Sequence, residues 1–195
     1  VQYFTRRLAQ SGVDVRCPDF NEPDFRSMTM TRMLDQLDAA LAAAPAPAAL
    51  VGSSLGGALA IFAGARFAAR VDRLVLFAPA VMFGDPVRTL VPHELIDQWK
   101  RRGEAEFNHH GYGGKQTLAY GFYEDSLKYD VFGTLFAQPT VIFQGFRDQL
   151  VDHREVERFA ATRPHVTLSL LDDDHQLIAS LPRIWDDVAP FLGVA

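Results

Sequence analysis

Short runs of aliphatic and β-branched residues alternate along the chain with longer stretches in which apolar side chains return every three or four positions. The short runs predict buried strands and the longer stretches amphipathic helices. Their alternation predicts a mostly parallel sheet sandwiched by helices. Tyr3, Phe4 and Leu8, with Val1, share a helical face that ends at Gly12, and Val13–Cys17 then reads as a buried strand stopped by Pro18. Ser27 or Thr29 can cap a helix that carries Met30, Met33, Leu34, Leu37 and Leu41 on one side and closes at Pro45.

Ala48–Val51 follows as a short buried strand and runs through Gly52-Ser53-Ser54-Leu55-Gly56-Gly57 into an apolar helix that reaches about Arg70. Leu74–Phe77, Val141–Phe143 and Val166–Leu171 read as further strands, with a polar helix near His153–Thr162 and a final helix from about Gln176 to Leu192. The final helix holds Leu177, Ile178, Leu181, Ile184, Trp185, Val188 and Phe191.

Residues 80–138 do not continue the alternation and read as a cap-like helical and aromatic insertion over the carboxyl edge of the sheet. The insertion holds Met82, Phe83, Trp99, Phe107, Tyr112, Tyr120, Phe122, Tyr123, Tyr129 and Phe132, most of them expected in the core and some in a lid or acyl pocket. Gly111-Tyr112-Gly113-Gly114 reads as a mobile loop, since neither a preceding strand nor a following Lys-Ser/Thr pair supports phosphate binding. A chain of 195 residues with 48% hydrophobic side chains can bury one sizeable core, so residues 1–195 are expected to form a single domain.

The candidate chemistry sits at the turns. Gly52-Ser53-Ser54-Leu55-Gly56 fits G-x-S-x-G, a pattern that arises by chance in roughly one chain of this length in twenty. Its position between an aliphatic strand and a helix is a separate requirement, which this chain meets. A nucleophile on such a turn needs a strained backbone, and glycines two residues before and after are expected to remove the side chains that would clash. The Leu55 amide, at the helix N-terminus, is then placed to stabilise an oxyanion.

A serine hydroxyl is a weak nucleophile at neutral pH and needs a histidine to take its proton and a carboxylate to orient that histidine. Asp148 follows the strand Val141–Phe143, and His175 follows the strand ending at Leu171, which keeps the order Ser54, Asp148, His175. Asp152 is the rival acid, but its place before His153-Arg154-Glu155 suits a helix cap. Asp172, Asp173 and Asp174 are expected to face solvent, with one of them free to bond the loop. His153 reads as the start of a surface helix, His165 stands at the wrong end of its strand and His93 lies in the insertion. His109 and His110 read as a polar loop, since no carboxylate pattern completes a metal shell around them. Neither a metal nor any other cofactor is expected.

The formal net charge of −5 removes any general attraction to nucleic acid or to an anionic membrane. Lys100, Arg101 and Arg102 read as a solvated helix face. No apolar run reaches the roughly 18 residues of a membrane span. The single cysteine, Cys17, has no partner for an internal disulfide, and the first residues lack the order of a secretory leader, so a cytoplasmic location is expected.

Gly52-Ser53-Ser54-Leu55-Gly56-Gly57, Gly145-Phe146-Arg147-Asp148 with Val151 behind it, and Asp174-His175 resemble the nucleophile, acid and histidine segments of α/β-hydrolases, and most closely those of the compact YqiA-type esterases. The resemblance spans nearly the whole chain but is specific only at these segments. It implies an α/β-hydrolase fold and cofactor-free hydrolysis of esters or related small acyl compounds. Such proteins usually open with a strand and a His-Gly turn that supplies the second oxyanion donor, which here is expected upstream of Val1. Either the protein continues there or the oxyanion hole has one arm, a difference on the order of 3 kcal/mol in transition-state stabilisation. Two other readings stay open: a binding or regulatory domain that kept the fold without the chemistry, and a peptidase or thioesterase using the same three residues.

Overall fold

The computed structural model describes residues 2–109 and 113–194, with the side chains of Gln2 and His109 outside the description. The chain opens with α1 (Gln2–Gln10) and α2 (Met30–Ala42), then β1 (Ala48–Ser53), α3 (Leu55–Arg66) and β2 (Val71–Phe77). The insertion follows as α4 (His93–Arg102), β3 (Glu104–His109), β4 (Gly114–Ala119) and α5 (Gly121–Ser126). The chain then returns through β5 (Thr140–Gly145), α6 (His153–Ala161), β6 (Val166–Leu171) and α7 (Leu181–Phe191).

Strands β1, β2, β5 and β6 form one parallel sheet in the order β1-β2-β5-β6. Side chains on a strand alternate between faces, and the core divides accordingly. Leu74, Leu76 and Ile142 face α2, α3 and α6, while Val75, Phe77 and Phe143 face α1 and α7. Leu74 and Leu76 are fully buried, and each contributes about 1.5–3 kcal/mol by leaving water. Helix α3 runs between the sheet and α2 with Ala58, Leu59, Ala60, Ile61 and Phe62 all buried, which explains its lack of a polar face.

Apart from one expected strand, the predicted elements are present with altered ends. Thr29, not Ser27, caps α2 by accepting the Arg32 amide at 3.0 Å, and Met30, Met33, Leu34, Leu37 and Leu41 form its buried face. Val13–Cys17 does not form the expected strand: a strand needs a ladder partner, and this segment pairs with none among the described residues. Val15 alone packs into the core, and Cys17 is exposed instead of buried. For the same reason β1 is less buried than expected. It ends the described sheet, and its Val51 is 41% exposed. The last helix starts at Leu181 and not near Gln176, because Leu177 adopts a left-handed φ of 54°, which a helix cannot pass through. Leu177 still enters the core, whereas Ile178 on the same turn is 67% exposed.

The insertion holds an antiparallel hairpin that the expected helical and aromatic segment lacked. β3 and β4 pair from Glu104↔Ala119 to His109↔Gly114. Within Glu104–His109 the apolar residues alternate, and Ala105 and Phe107 turn toward the core while Glu104 and Glu106 do not. Helix α4 ends at Gly103, whose φ of 75° turns the chain into the hairpin. Gly114 opens β4 rather than belonging to a mobile loop, whereas His110, Gly111 and Tyr112 lie outside the described residues. The Trp99 indole donates to the Leu118 carbonyl at 2.8 Å and joins α4 to the hairpin. Asp125 accepts the Thr31 amide at 2.8 Å and its hydroxyl at 2.7 Å, fastening the insertion to the start of α2.

Candidate active site

Parallel strands in close register release their loops at one edge. Ser53, Phe77, Phe143 and Ser169 are successive partners across the sheet, so the turns after β1, β5 and β6 all leave the same side. Ser54 forms the turn from β1 to α3 with φ 52° and ψ −115°. That conformation is strained for a residue with a Cβ and persists because neighbours fix it. The Ser54 amide donates to the Phe77 carbonyl at 2.9 Å, and the Ser54 carbonyl accepts the amides of Gly57 at 2.9 Å and Ala80 at 3.0 Å.

The glycines around Ser54 divide differently from the expectation. A Cβ on Gly52 would stand 2.3 Å from the Gly56 carbonyl oxygen, whereas one on Gly56 would meet nothing within 4 Å. The second crowded position is Gly57, whose Cβ would lie 2.7 Å from that of Pro79. Leu55 is the first residue of α3, where backbone amides have no intrahelical acceptor, so its N–H is available at the helix N-terminus. The second oxyanion donor expected upstream of Val1 lies outside the described residues.

Asp148 stands on the loop after β5 with its carboxylate fully buried. One carboxylate oxygen, Oδ1, accepts the amides of Leu150 at 2.8 Å and Val151 at 2.9 Å. The other, Oδ2, accepts from His175 Nδ1 at 2.8 Å and from Gln144 Nε2 at 2.9 Å. Burial pushes the carboxyl pKa up, but the hydrogen bonds from His175, Val151, Leu150 and Gln144 together outweigh it and leave the pKa below the ordinary value. An ionised carboxylate only accepts, so the His175 proton belongs on Nδ1 and Nε2 is left as the acceptor.

Asp148 and His175 are thus in contact, from loops after two neighbouring strands. No hydrogen bond joins the Ser54 hydroxyl to either of them among the described residues. Catalytic hydrogen bonds are often long in a free enzyme and tighten around substrate.

The rival residues fall elsewhere. Asp152 caps α6 by accepting the Arg154 amide at 3.0 Å, and His153, the first residue of that helix, pairs with Glu157 at 2.8 Å. Asp172 is exposed and bridges Arg147 at 3.1 Å. Asp173 does not face solvent: it is buried, accepts the Asp174 amide at 2.8 Å and the Ser180 amide at 2.9 Å, and so shapes the loop that carries His175. Those hydrogen bonds hold its carboxyl below the usual value against the opposing effect of burial. His93 is exposed at the start of α4, and His165 stacks edge-on against Phe136. His109 closes β3 with its side chain outside the description. Lys100, Arg101 and Arg102 are exposed on α4.

Two contributors were not read from the sequence. Gln144, fully buried in β5, contacts the Asp148 carboxylate; a glutamine inside an otherwise apolar strand was the available signal. Gly145 lets the histidine loop press against the end of β5, since a Cβ there would stand 2.4 Å from the Asp173 carbonyl oxygen.

A cavity of about 280 Å³ opens beside Ser54 and Leu55 beneath the insertion, with Met82, Phe83, Trp99, Phe107, Leu118 and Phe122 in its walls. Three of the polar side chains that border it are already engaged. Asp85 accepts the Val87 amide at 2.8 Å, Thr89 accepts that of Val91 at 3.1 Å, and Ser126 donates to the Tyr123 carbonyl at 2.7 Å. Among the described residues, no three of His, Cys, Asp or Glu cluster as a metal site, and no helix is long and apolar enough to cross a membrane.

The profile of an uncharacterised protein family, UPF0227, matches residues 1–189. No curated protein matches the chain in sequence. Among solved structures, a protein of Agrobacterium vitis S4 superposes with a TM-score of 0.78 at 24% identity, covering 98% of this chain and 81% of its own. The monoacylglycerol lipase of Paleococcus ferrophilus superposes with a TM-score of 0.76 at 11% identity over 97% of this chain and 87% of its own. Mouse alpha/beta hydrolase domain-containing protein 10 does so at 0.67 and 22% identity over 93% and 75%. At these identities the likeness is one of fold, and the fold is that of the α/β-hydrolases.

Proposed function

The chain belongs to UPF0227, and we propose that it is a serine hydrolase that cleaves carboxylic esters or related small acyl compounds through an acyl-enzyme on Ser54. The observation that carries the proposal is the 2.8 Å bond between His175 Nδ1 and a fully buried Asp148, on the sheet edge where Ser54 occupies its strained turn.

In this mechanism Ser54 Oγ attacks the acyl carbon while His175 Nε2 takes the hydroxyl proton. Asp148 stabilises the imidazolium across the short Nδ1–Oδ2 bond. The oxyanion faces the Leu55 amide and the positive end of α3. His175 then gives the proton to the leaving alcohol, and water activated by the same nitrogen releases the acid.

The cavity supports an uncharged acyl group: its walls are mostly apolar, and Asp85, Thr89 and Ser126 at its border already have partners, so a charged group entering it would find little to replace its lost water. Its volume of about 280 Å³ suits a small or medium acyl group better than a long peptide. The lipase chemistry named for one structural neighbour, the Paleococcus monoacylglycerol lipase, agrees with this reading.

The test is labelling by a fluorophosphonate together with turnover of p-nitrophenyl butyrate. Labelling at Ser54 that disappears in Ser54→Ala, and turnover about 10⁴-fold lower in Asp148→Asn, are the expected results. A folded protein that is neither labelled nor active would reject catalysis in favour of a binding module. Preference for thioester or peptide substrates in a panel would redirect the substrate class.

A further inference from the structure

Gln144 has no place in the mechanism above, yet among the described residues it is the one side-chain amide aimed at the acid. It is fully buried near the end of β5. Its Nε2 lies 2.9 Å from Asp148 Oδ2, 3.1 Å from the Gly145 carbonyl oxygen and 3.3 Å from the Val151 carbonyl oxygen. All three neighbours can only accept, so the amide nitrogen belongs on that side and the orientation of the group is settled by chemistry. The other end of the amide is left over: the buried Oε1 finds no hydrogen-bond partner. A buried acceptor without a partner is unfavourable, and an apolar residue of similar shape would avoid it. What such a residue would lose is the donor side, which touches the same carboxylate oxygen that His175 uses.

We propose that Gln144 is a positioning residue for the active site: it shares Asp148 Oδ2 with His175, and by donating to that oxygen it limits how strongly the carboxylate holds the imidazolium. The proposal rests on reading Ser54, His175 and Asp148 as the catalytic set. The two hydrogens of the amide are shared among the three acceptors, and the contacts with Asp148 and Val151 tie the acid loop to the strand it leaves. Gln144 does not line the cavity beside Ser54, so it acts through Asp148 and the loop that carries it.

A direction follows. Removing the donor makes Oδ2 more basic, the His175 imidazolium is better stabilised, and the ring keeps its proton to higher pH. The other ionisable groups around the pair are Asp173 and Asp174 on the histidine loop, the Arg147–Asp172 bridge at 3.1 Å, and Asp152 at the start of α6, and none of them bonds Gln144.

The test is an NMR titration of the His175 ring in the parent protein and in Gln144→Met, which keeps shape and removes the donor. The expected result is a midpoint raised by about one pH unit, with the acid limb of kcat/KM for p-nitrophenyl butyrate moving by the same amount and KM unchanged. Gln144→Leu likewise removes the donor while staying apolar and close in volume; it is expected to raise the His175 midpoint as far, and it serves if the methionine variant fails to fold. A midpoint in a folded variant that coincides with the parent's overturns the proposal. Because the titration needs no turnover, it separates this inference from the proposed activity, whose own failure appears as absence of fluorophosphonate labelling in the parent.

Discussion

Replacing Gly52 or Gly56 by alanine adds one methyl group on either side of Ser54, and the two are expected to have opposite consequences. A Cβ on Gly52 would sit 2.3 Å from the Gly56 carbonyl oxygen, 2.6 Å from its carbonyl carbon and 2.9 Å from the Gly57 nitrogen. All of these are backbone atoms of the first turn of α3, so no side chain can swing aside. Restoring even a tight 3.0 Å contact moves that turn by about 0.7 Å, and the turn carries the Leu55 amide. Overpacking of this kind costs about 1–3 kcal/mol of stability, and a displacement approaching 1 Å at a reacting centre costs on the order of 10²-fold in rate. Gly56→Ala meets nothing within 4 Å and lies in the helix. There the loss of backbone entropy in the unfolded chain favours alanine, by up to about 1 kcal/mol. The assay is thermal unfolding of each variant, with fluorophosphonate labelling rate and p-nitrophenyl butyrate turnover on the same samples. Equal damage from the two substitutions, or a harmless Gly52→Ala, would refute the crowding argument and with it the account of why Ser54 holds its strained φ.

Further outcomes follow from other contacts. Gly145→Ala pushes a Cβ to within 2.4 Å of the Asp173 and 2.6 Å of the Asp174 carbonyl oxygens; the histidine loop must retreat, and turnover is expected to fall about tenfold or more while labelling of Ser54 slows in proportion. Asp173→Ala removes the acceptor of the Ser180 and Asp174 amides, at a cost of about 2 kcal/mol at neutral pH. Because the folded pKa of Asp173 is lowered, its contribution is present above the unfolded value of about 3.9 and is lost as pH falls through the folded one. The melting-temperature gap from the parent should therefore close below about pH 4. Burial, and secondly the Arg163 charge, lower the pKa of His165, whose Nε2 is buried without a partner. The unfolded chain takes up that proton first as pH falls below about 6.5, so acidification destabilises the fold; His165→Leu is expected to flatten the loss of melting temperature between pH 7 and 5, and an unchanged slope would reject the assignment.

The order of elements and the identity of the candidate residues were legible in the chain itself, because both depend on local patterns. Periodicity placed the α2 face from Met30 to Leu41, the strand Val166–Leu171 and the cap at Asp152, and the strand-turn-helix context singled out Ser54. The tertiary structure decided what depends on neighbours. Val13–Cys17 has the composition of a strand but lacks a ladder, and Ile178 has the spacing of a core residue but follows a left-handed Leu177. Gly56 matches the motif, while the crowded positions are Gly52 and Gly57. The hairpin of the insertion was missed: Ala105 and Phe107 alternate over too short a stretch to stand out, and the register that makes it a sheet is a property of two segments together. Gln144 and Asp173 are the clearest cases: their types are ordinary in a list of residues, and only burial beside a particular carboxylate or pair of amides gives them a part in the site. A sequence specifies which groups can donate, accept or titrate, whereas their distances and their separation from water, which set the strength of each interaction, arise when distant segments close on one another.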